Sequence, residues 1–542
     1  MQGNIFPLIR SIFASTLLCA GLCSASNLAL AGDKLDAYKL VSQYVTTNQA
    51  HSMVLSYEGE FIAVFNEQVK PWIEEPLTIE RVQGIRATLD PHLDIRLNAR
   101  GFAPAATRTS EGEEDETNYD AIWVRDNVWV YYALANNPLR QKDAKKLLLA
   151  LWDYYATAPQ LQRFKNIIGN PDLAQDLMEV PHIRFDGASA ALSDVVEKGE
   201  AQVWNHRQID AHGLFFTALG DAFKNERLAD SEITPERAEV LFLYPLFLQK
   251  IQFHLYEDAG AWEEIPRRNS SSIGLATKSL QIWRDILYGS DKTLKNVFST
   301  KLSGSASEVQ KAWSKTTLDK QIANGMDTVH RQIRMGGESP DYDAEDVHYR
   351  RNDAALLHLI SPYPLAGLSE AEMRQIMSYV ETLKRPFGIL RYNNDSYQGG
   401  NYWIRPPATE GPAPTGDTSS RDAFLWRLST LPPNSEAQWF FDSLASLAWL
   451  HIAEVTEEPR LQSQDLHRAK IHLKRALGQL TGPNQIAADG KPVRAWMAPE
   501  SINTVIVDGQ THFLASPITP LNWAKASLYM ALREFERVGN IH

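Results

Sequence analysis

Apolar residues recur at three- and four-residue spacing in segment after segment of this 542-residue chain, and that rhythm confines it to a largely helical fold. The pattern runs through Asp143 to Ala158, Ile209 to Phe223, Pro235 to Tyr256 and Lys278 to Leu287. It continues through Glu370 to Lys384, Glu436 to Glu454, Asp465 to Leu480 and Leu521 to Val538. Strand-like runs are scarce, with one candidate at Glu60 to Phe65. Loops rich in Pro, Gly, Ser and Asp separate the helices, and the longest, Arg405 to Asp417, carries too much proline and glycine for regular structure. No fixed repeat signature of solenoid length appears. Many helices joined by long, chemically rich loops predict a helical toroid with its function on one face.

The ends and the charge narrow the class. Arg10, the apolar run Ser11 to Cys23 and the Ala29-Leu30-Ala31 cleavage site read as a secretory leader over residues 1–31. The run is too short for a comfortable membrane span. The bulky Leu22 before Cys23 argues against a lipid anchor. Both cysteines, Cys19 and Cys23, lie in this leader, so the exported chain is expected to have no disulfide, no thiolate metal ligand and no cysteine nucleophile. With 54 Lys and Arg against 66 Asp and Glu, the net charge of −12 argues against nucleic acid as a partner. Fourteen Trp and 19 Tyr suit the apolar faces of sugars, and also serve as core filler in any large helical protein.

Several familiar catalytic signatures are absent: H-E-x-x-H, G-x-S-x-G, a phosphate-binding loop and a dinucleotide fingerprint. Asp341 to Asp346 resembles the start of a calcium loop but lacks the glycine at position six, and reads as a solvated acidic turn. Glu111 to Glu116 reads as a solvated loop. Five clusters of Trp, Arg and carboxylates remain, each where a loop meets a helix. They are Tyr119 to Asn127 (with Trp123, Arg125 and Asp126), Trp204 to Asp210, Ala261-Trp-Glu-Glu264 with Asn269 to Gly274, Arg391 to Asp395 with Gly399 to Trp403, and Ala498-Pro-Glu500 with Ser516 to Trp523. Any one could be a cap or a salt bridge.

Taken in order, W-x-R-D, W-x-x-x-Q-x-D, W-E-E, R-Y-x-x-D, P-E and T-P-L-x-W-A resemble glycoside hydrolase family 15, the glucoamylases and glucodextranases. Tyr119 to Val130 and Trp262 to Ala276 are also similar to the α and β regulatory subunits of phosphorylase kinase. The first resemblance implies an all-α (α/α)6 barrel over 119–542, with a short mixed segment at 32–118 packed on it. It implies Glu263 as general acid and Glu500 as general base. Arg125 and Asp126 would grip the terminal glucosyl unit beside Trp123, and Trp204, Glu264 and Arg391 would line adjoining subsites. The family uses neither metal nor other cofactor.

The implied reaction is inverting, exo-acting release of glucose from α-glucans or maltooligosaccharides by a secreted or periplasmic monomer that does not touch the membrane once the leader is removed. A carboxyl on each side of the scissile bond, about 6.5–9.5 Å apart, leaves room for the attacking water. Indole cover from Trp262 and the charge of Glu264 would both raise the Glu263 pKa. Alternatives are a non-catalytic carbohydrate-binding regulator like the kinase subunits, or an inverting hydrolase acting on trehalose or dextran. Ile265 to Asn269 departs from the glycine-rich stretch usual after W-E-E, so the leaving-group subsite should differ in shape.

Overall fold

A helix that is apolar on every side must be enclosed on every side, and this chain has several. Every residue of Val124–Ala135 is buried, as are nearly all of Ile209–Lys224 and Asp442–Val455, the first eleven residues of Ser270–Tyr288 and the first eleven of Asn522–Val538. Together with the short 3-10 helix Ala354–Leu359 they form a closed inner ring in which each member touches the next. Helices with one polar flank surround it: Gln141–Tyr155 with Ala158–Gly169, Pro235–Lys250, Lys315–Met335, Glu370–Glu381, Pro459–Gly478 and Ile79–Leu93. The chain alternates inner and outer around the ring, giving an (α/α)6 toroid. The computed structural model describes residues 32–47, 52–106, 118–197, 199–407 and 421–539. The expected leader, the acidic stretch at 111–116 and most of the 405–417 loop lie outside the described residues.

Close packing inside the ring depends on missing side chains. A Cβ at Gly213 would stand 2.5 Å from the backbone carbon of Leu275, so the helices Ile209–Lys224 and Ser270–Tyr288 meet backbone to backbone. One apolar core runs continuously from Ile62 to Val538.

That continuity moves a boundary. Ile79–Leu93 packs along Asn522–Val538 as the sixth outer helix, so the toroid begins well before residue 119. Only the flanking pieces of 32–118 are additions. A helix over 32–47 lays Ala37, Val41 and Val45 against Val505, Val507 and Leu514, and the antiparallel hairpin Met53–Tyr57 with Glu60–Val64 lies against Pro459–Gly478.

The inner helices begin at one end of the toroid, and the connections there carry the small strands. Ile122–Trp123 pairs antiparallel with Arg184–Phe185. A five-stranded sheet has the order Gln510–Ala515, Ser501–Val507, Gln438–Trp439, Gly388–Ile389, Lys384–Arg385. Its Ser501–Trp439 pairing delivers Glu500 to the same end as the four other clusters.

Candidate active site

The first cluster is set by the strand–helix junction at Trp123. The Val124 N–H donates to the Ile183 carbonyl at 2.9 Å, which fixes the direction of the helix that follows. Arg125 and Asp126 fall in its first turn, where the helix dipole favours negative charge. Arg125 is buried and spends its donors on Asp210 Oδ2 at 2.7 Å, Gln208 Oε1 at 2.6 Å and the Gly260 carbonyl at 3.3 Å. Its remaining arm stands 3.5 Å from Glu263 Oε1.

Glu263 follows the 3-10 turn Gly260–Trp262 and takes a left-handed φ of 58°. A non-glycine residue there is strained, and such strain clusters at functional sites. Gly260 makes the turn possible: with φ 61°, its Cβ would stand 2.7 Å from Asn269 Nδ2. Burial raises the Glu263 pKa against the pull of Arg125, Arg184 and a hydrogen bond from Trp123.

Glu264 has the opposite fate. It accepts from Tyr392 Oη at 2.5 Å and Arg391 Nη2 at 3.0 Å, with Arg350 at 3.4 Å and Arg267 at 3.5 Å. Burial opposes ionisation, but the charges of Arg391, Arg350 and Arg267 win and hold it at about 2. The expected help from Glu264 to Glu263 is therefore corrected: three guanidiniums neutralise it, and the carboxylate that raises Glu263 is Asp210. Trp262 likewise turns away, donating its indole N–H to Asp353 Oδ1 at 2.8 Å.

Glu500 closes the site from the other side. Its backbone N–H donates to the Ile518 carbonyl at 3.1 Å. Tyr119 Oη donates to Oε1 at 3.0 Å and Gln398 Nε2 to Oε2 at 2.5 Å. Burial pushes its pKa up to about 7, against those two hydrogen bonds. Asp126 is pushed up to about 7, chiefly by burial, with Arg125 opposing and the charges of both Glu263 and Glu500 adding to the rise. One carboxyl thus lies in the field of the other two. The contacts of Arg125 with Glu263 and of Tyr119 with Glu500 bring the first, third and fifth clusters together.

The aromatic plates hold a surprise. The Arg184 guanidinium sits 4.6 Å from the centre of the Trp123 ring and 4.0 Å from that of Trp204, so an arginine occupies faces expected to stack on sugar. Trp204 remains half-buried at the rim, its indole nitrogen without a hydrogen-bond partner. Arg391 is forked onto Asp395 at 2.6 Å through both Nε and Nη2, and is ringed by Trp439, Tyr397 and Trp262. In the Asp341 to Asp346 turn, Asp343, Glu345 and Asp346 are exposed as a solvated turn requires, while Asp341 is drawn into ion pairs with Arg268 and Arg331.

Sequence reasoning gave no role to Tyr119, Gln208 or Asp210, although all three stood inside quoted motifs. Arg184 and Gln398 carried no motif. They reach the site through strand pairing and loop packing that only the folded chain shows.

Two groups of described residues bring metal-type ligands together. His182 and His206, near Asp194, stack at 3.7 Å with planes 14° apart, so their in-plane lone pairs cannot converge on one ion. Glu454 and Glu534, near His451, already share Arg537. The latter group borders a cavity of about 310 Å³ lined by Asn136, Tyr363, His451 and Arg533, at the opposite ends of the inner helices from the motif clusters.

Fold and site define a six-hairpin helical toroid with buried carboxyls gathered where its inner helices begin. The chain belongs to the family of the uncharacterized lipoprotein YgeQ of Escherichia coli (strain K12), with 30% identity over 259 residues, 45% of this chain and 98% of that protein. The putative protein YgeP of the same organism is 38% identical over 69 residues, 13% of this chain and 70% of that one. No family model matches the chain. Among solved structures, a wild-type glycosidase is 16% identical, covering 85% of this chain and 96% of its own, at a TM-score of 0.47. A glucoamylase from Saccharomycopsis fibuligera is 12% identical, covering 90% and 99%, at a TM-score of 0.49.

Proposed function

We propose that the protein is an inverting, exo-acting glycoside hydrolase that releases glucose from the non-reducing ends of α-glucans or maltooligosaccharides. The observation that carries this reading is the pair Glu263 and Glu500. Glu500 is buried and Glu263 largely so, burial raises the pKa of each, and Arg125 against Glu263 and Tyr119 against Glu500 tie both to the helix start that carries Asp126. Acetal cleavage needs a carboxyl that gives a proton to the departing oxygen and a carboxylate that takes one from water. Glu263 is the donor and Glu500 the acceptor.

Arg125 and Asp126 hold the terminal sugar, Trp123 orients Glu263, and Trp204 lines the rim. Glu264 and Arg391 shape the adjoining subsite from beneath, since each is committed to charge partners. The motif order shared with glycoside hydrolase family 15 supports the assignment of these roles. The leader read from residues 1–31, and a relative named as a lipoprotein, support action outside the cytoplasm. The protein acts as a monomer without a cofactor.

Glu263→Gln and Glu500→Gln should each lower glucose release from maltotriose by at least about a thousandfold while maltose still binds. Near-wild-type release by either variant would overturn the roles. A wild-type chain that binds maltose and liberates nothing from maltooligosaccharides, isomaltose, dextran or trehalose would establish the regulatory alternative.

A further inference from the structure

Among the described residues, Tyr119 and Gln398 donate to Glu500, and the surroundings of Gln398 lock its orientation. One atom beside it has an unambiguous role. The Gln398 backbone carbonyl can only accept, and Asn503 Nδ2 lies 3.1 Å from it, so the Asn503 amide must present its N–H₂ on this side. The same N–H₂ lies 3.2 Å from Gln398 Oε1, and the Ser501 hydroxyl lies 2.9 Å from that oxygen. The side-chain carbonyl is thereby held on two donors, and the amide N–H₂ has to face Glu500 Oε2 at 2.5 Å.

A flipped amide would set N–H against N–H at Asn503. Gln398 is fully buried and takes a left-handed φ of 58°, a conformation a glutamine adopts only when its surroundings impose it. The loop is closely packed at the next residue as well: a Cβ at Gly399 would stand 2.7 Å from Leu431 Cδ1 and 3.0 Å from the Ser435 carbonyl.

From this we infer that Gln398 is the positioning residue that fixes Glu500 as a proton acceptor. An N–H directed at Oε2 opposes a proton on that oxygen, while Tyr119 directs its hydroxyl at Oε1. A group so placed favours the ionised form and holds the carboxylate plane still, which suits a base and hinders an acid. Gln398 acts through Glu500 and is not itself a catalytic residue. Asn503 and Ser501 act one step further out, by holding the amide.

The inference rests on the hydrolase reading only for its kinetic arm, so the experiment has two. The first follows the ¹³C-carboxyl resonance of Glu500 across a pH titration of the full chain labelled at glutamate Cδ, with the signal assigned by its loss in Glu500→Gln. Gln398→Met should raise the Glu500 midpoint by about one pH unit or more. Asn503→Ala, which frees the amide to turn, should move it the same way by less, and keeps the test alive if the first variant does not fold. The second arm measures maltotriose hydrolysis: Gln398→Met should lower kcat about tenfold or more with KM nearly unchanged, and shift the acidic limb upward. A Glu500 midpoint unmoved in both variants would overturn the inference. Wild-type chain that releases no sugar would overturn the hydrolase reading and leave the titration to decide this one.

Discussion

Glu263 and Glu264 share a peptide bond and nothing else. Glu263 turns away on a left-handed backbone and keeps a raised pKa, whereas Glu264 is pinned by Arg267, Arg350 and Arg391 and stays ionised. A fixed anion beneath the site and a protonatable one within it come from two adjacent residues because the strained turn at Gly260–Glu263 points them apart. The hydroxyl of Tyr119 has a comparable leverage on Glu500. It donates to Oε1 and so favours the ionised carboxylate, opposing the burial that sets the pKa at about 7. Removing that donor in Tyr119→Phe leaves burial less opposed, so the proton is held to higher pH. As the acting form of a base is the ionised one, the acidic limb of kcat/KM should move up by roughly one pH unit. A pH–rate profile on maltotriose checks this, and a limb that stays or moves down would show that Glu500 is not the titrating base.

At the scale of elements, the motifs were easier to read than the structure that presents them. Helices rich in apolar residues, such as Ile209–Lys224 and Asn522–Val538, fell within a residue of their periodic pattern because an all-apolar face leaves little choice. Ser270–Tyr288 starts eight residues ahead of the Lys278 expected from periodicity. Its first turn, Ser270-Ser271-Ser272, is polar yet buried, and its N–H groups are capped by the backbone and carboxylate of distant Glu338. No local signal carries a cap supplied from that far along the chain. Asp442–Val455 starts late for a related reason: Gln438–Trp439 is taken into the sheet by Ile389 and Ser501.

The hairpin beside Glu500 did have a local signal. Asp508-Gly509, both with positive φ, joins two β-branched runs in the manner of a tight primed turn. Lys315–Met335 has only a narrow apolar stripe in a polar sequence, and its role as an outer helix depends on the neighbour it covers. The backbone-to-backbone contact of two inner helices can be tested directly. Gly213→Ala places a methyl 2.5 Å from the Leu275 backbone, and should cost about 1–3 kcal/mol, read as a lowered Tm in thermal unfolding. Unchanged stability would mean that the two inner helices are not held at that separation.

Across the whole molecule, ring closure does what no single segment can. Six inner helices begin at the same end, so clusters separated by up to several hundred residues converge there, while the opposite ends meet around a separate charged cavity. The order of short motifs foretold this convergence. Arg184 between two tryptophans and Gln398 on Glu500 were not foretold, because both depend on how loops cross at the mouth.

In the proposed reaction, water activated by Glu500 attacks the anomeric carbon from the face opposite the proton donor Glu263. Following the first minutes of maltotriose hydrolysis by ¹H NMR tests it most directly. β-Glucose should be the initial product, with the α anomer appearing only by mutarotation. Initial release of α-glucose would place the two carboxyls in a retaining arrangement and contradict it.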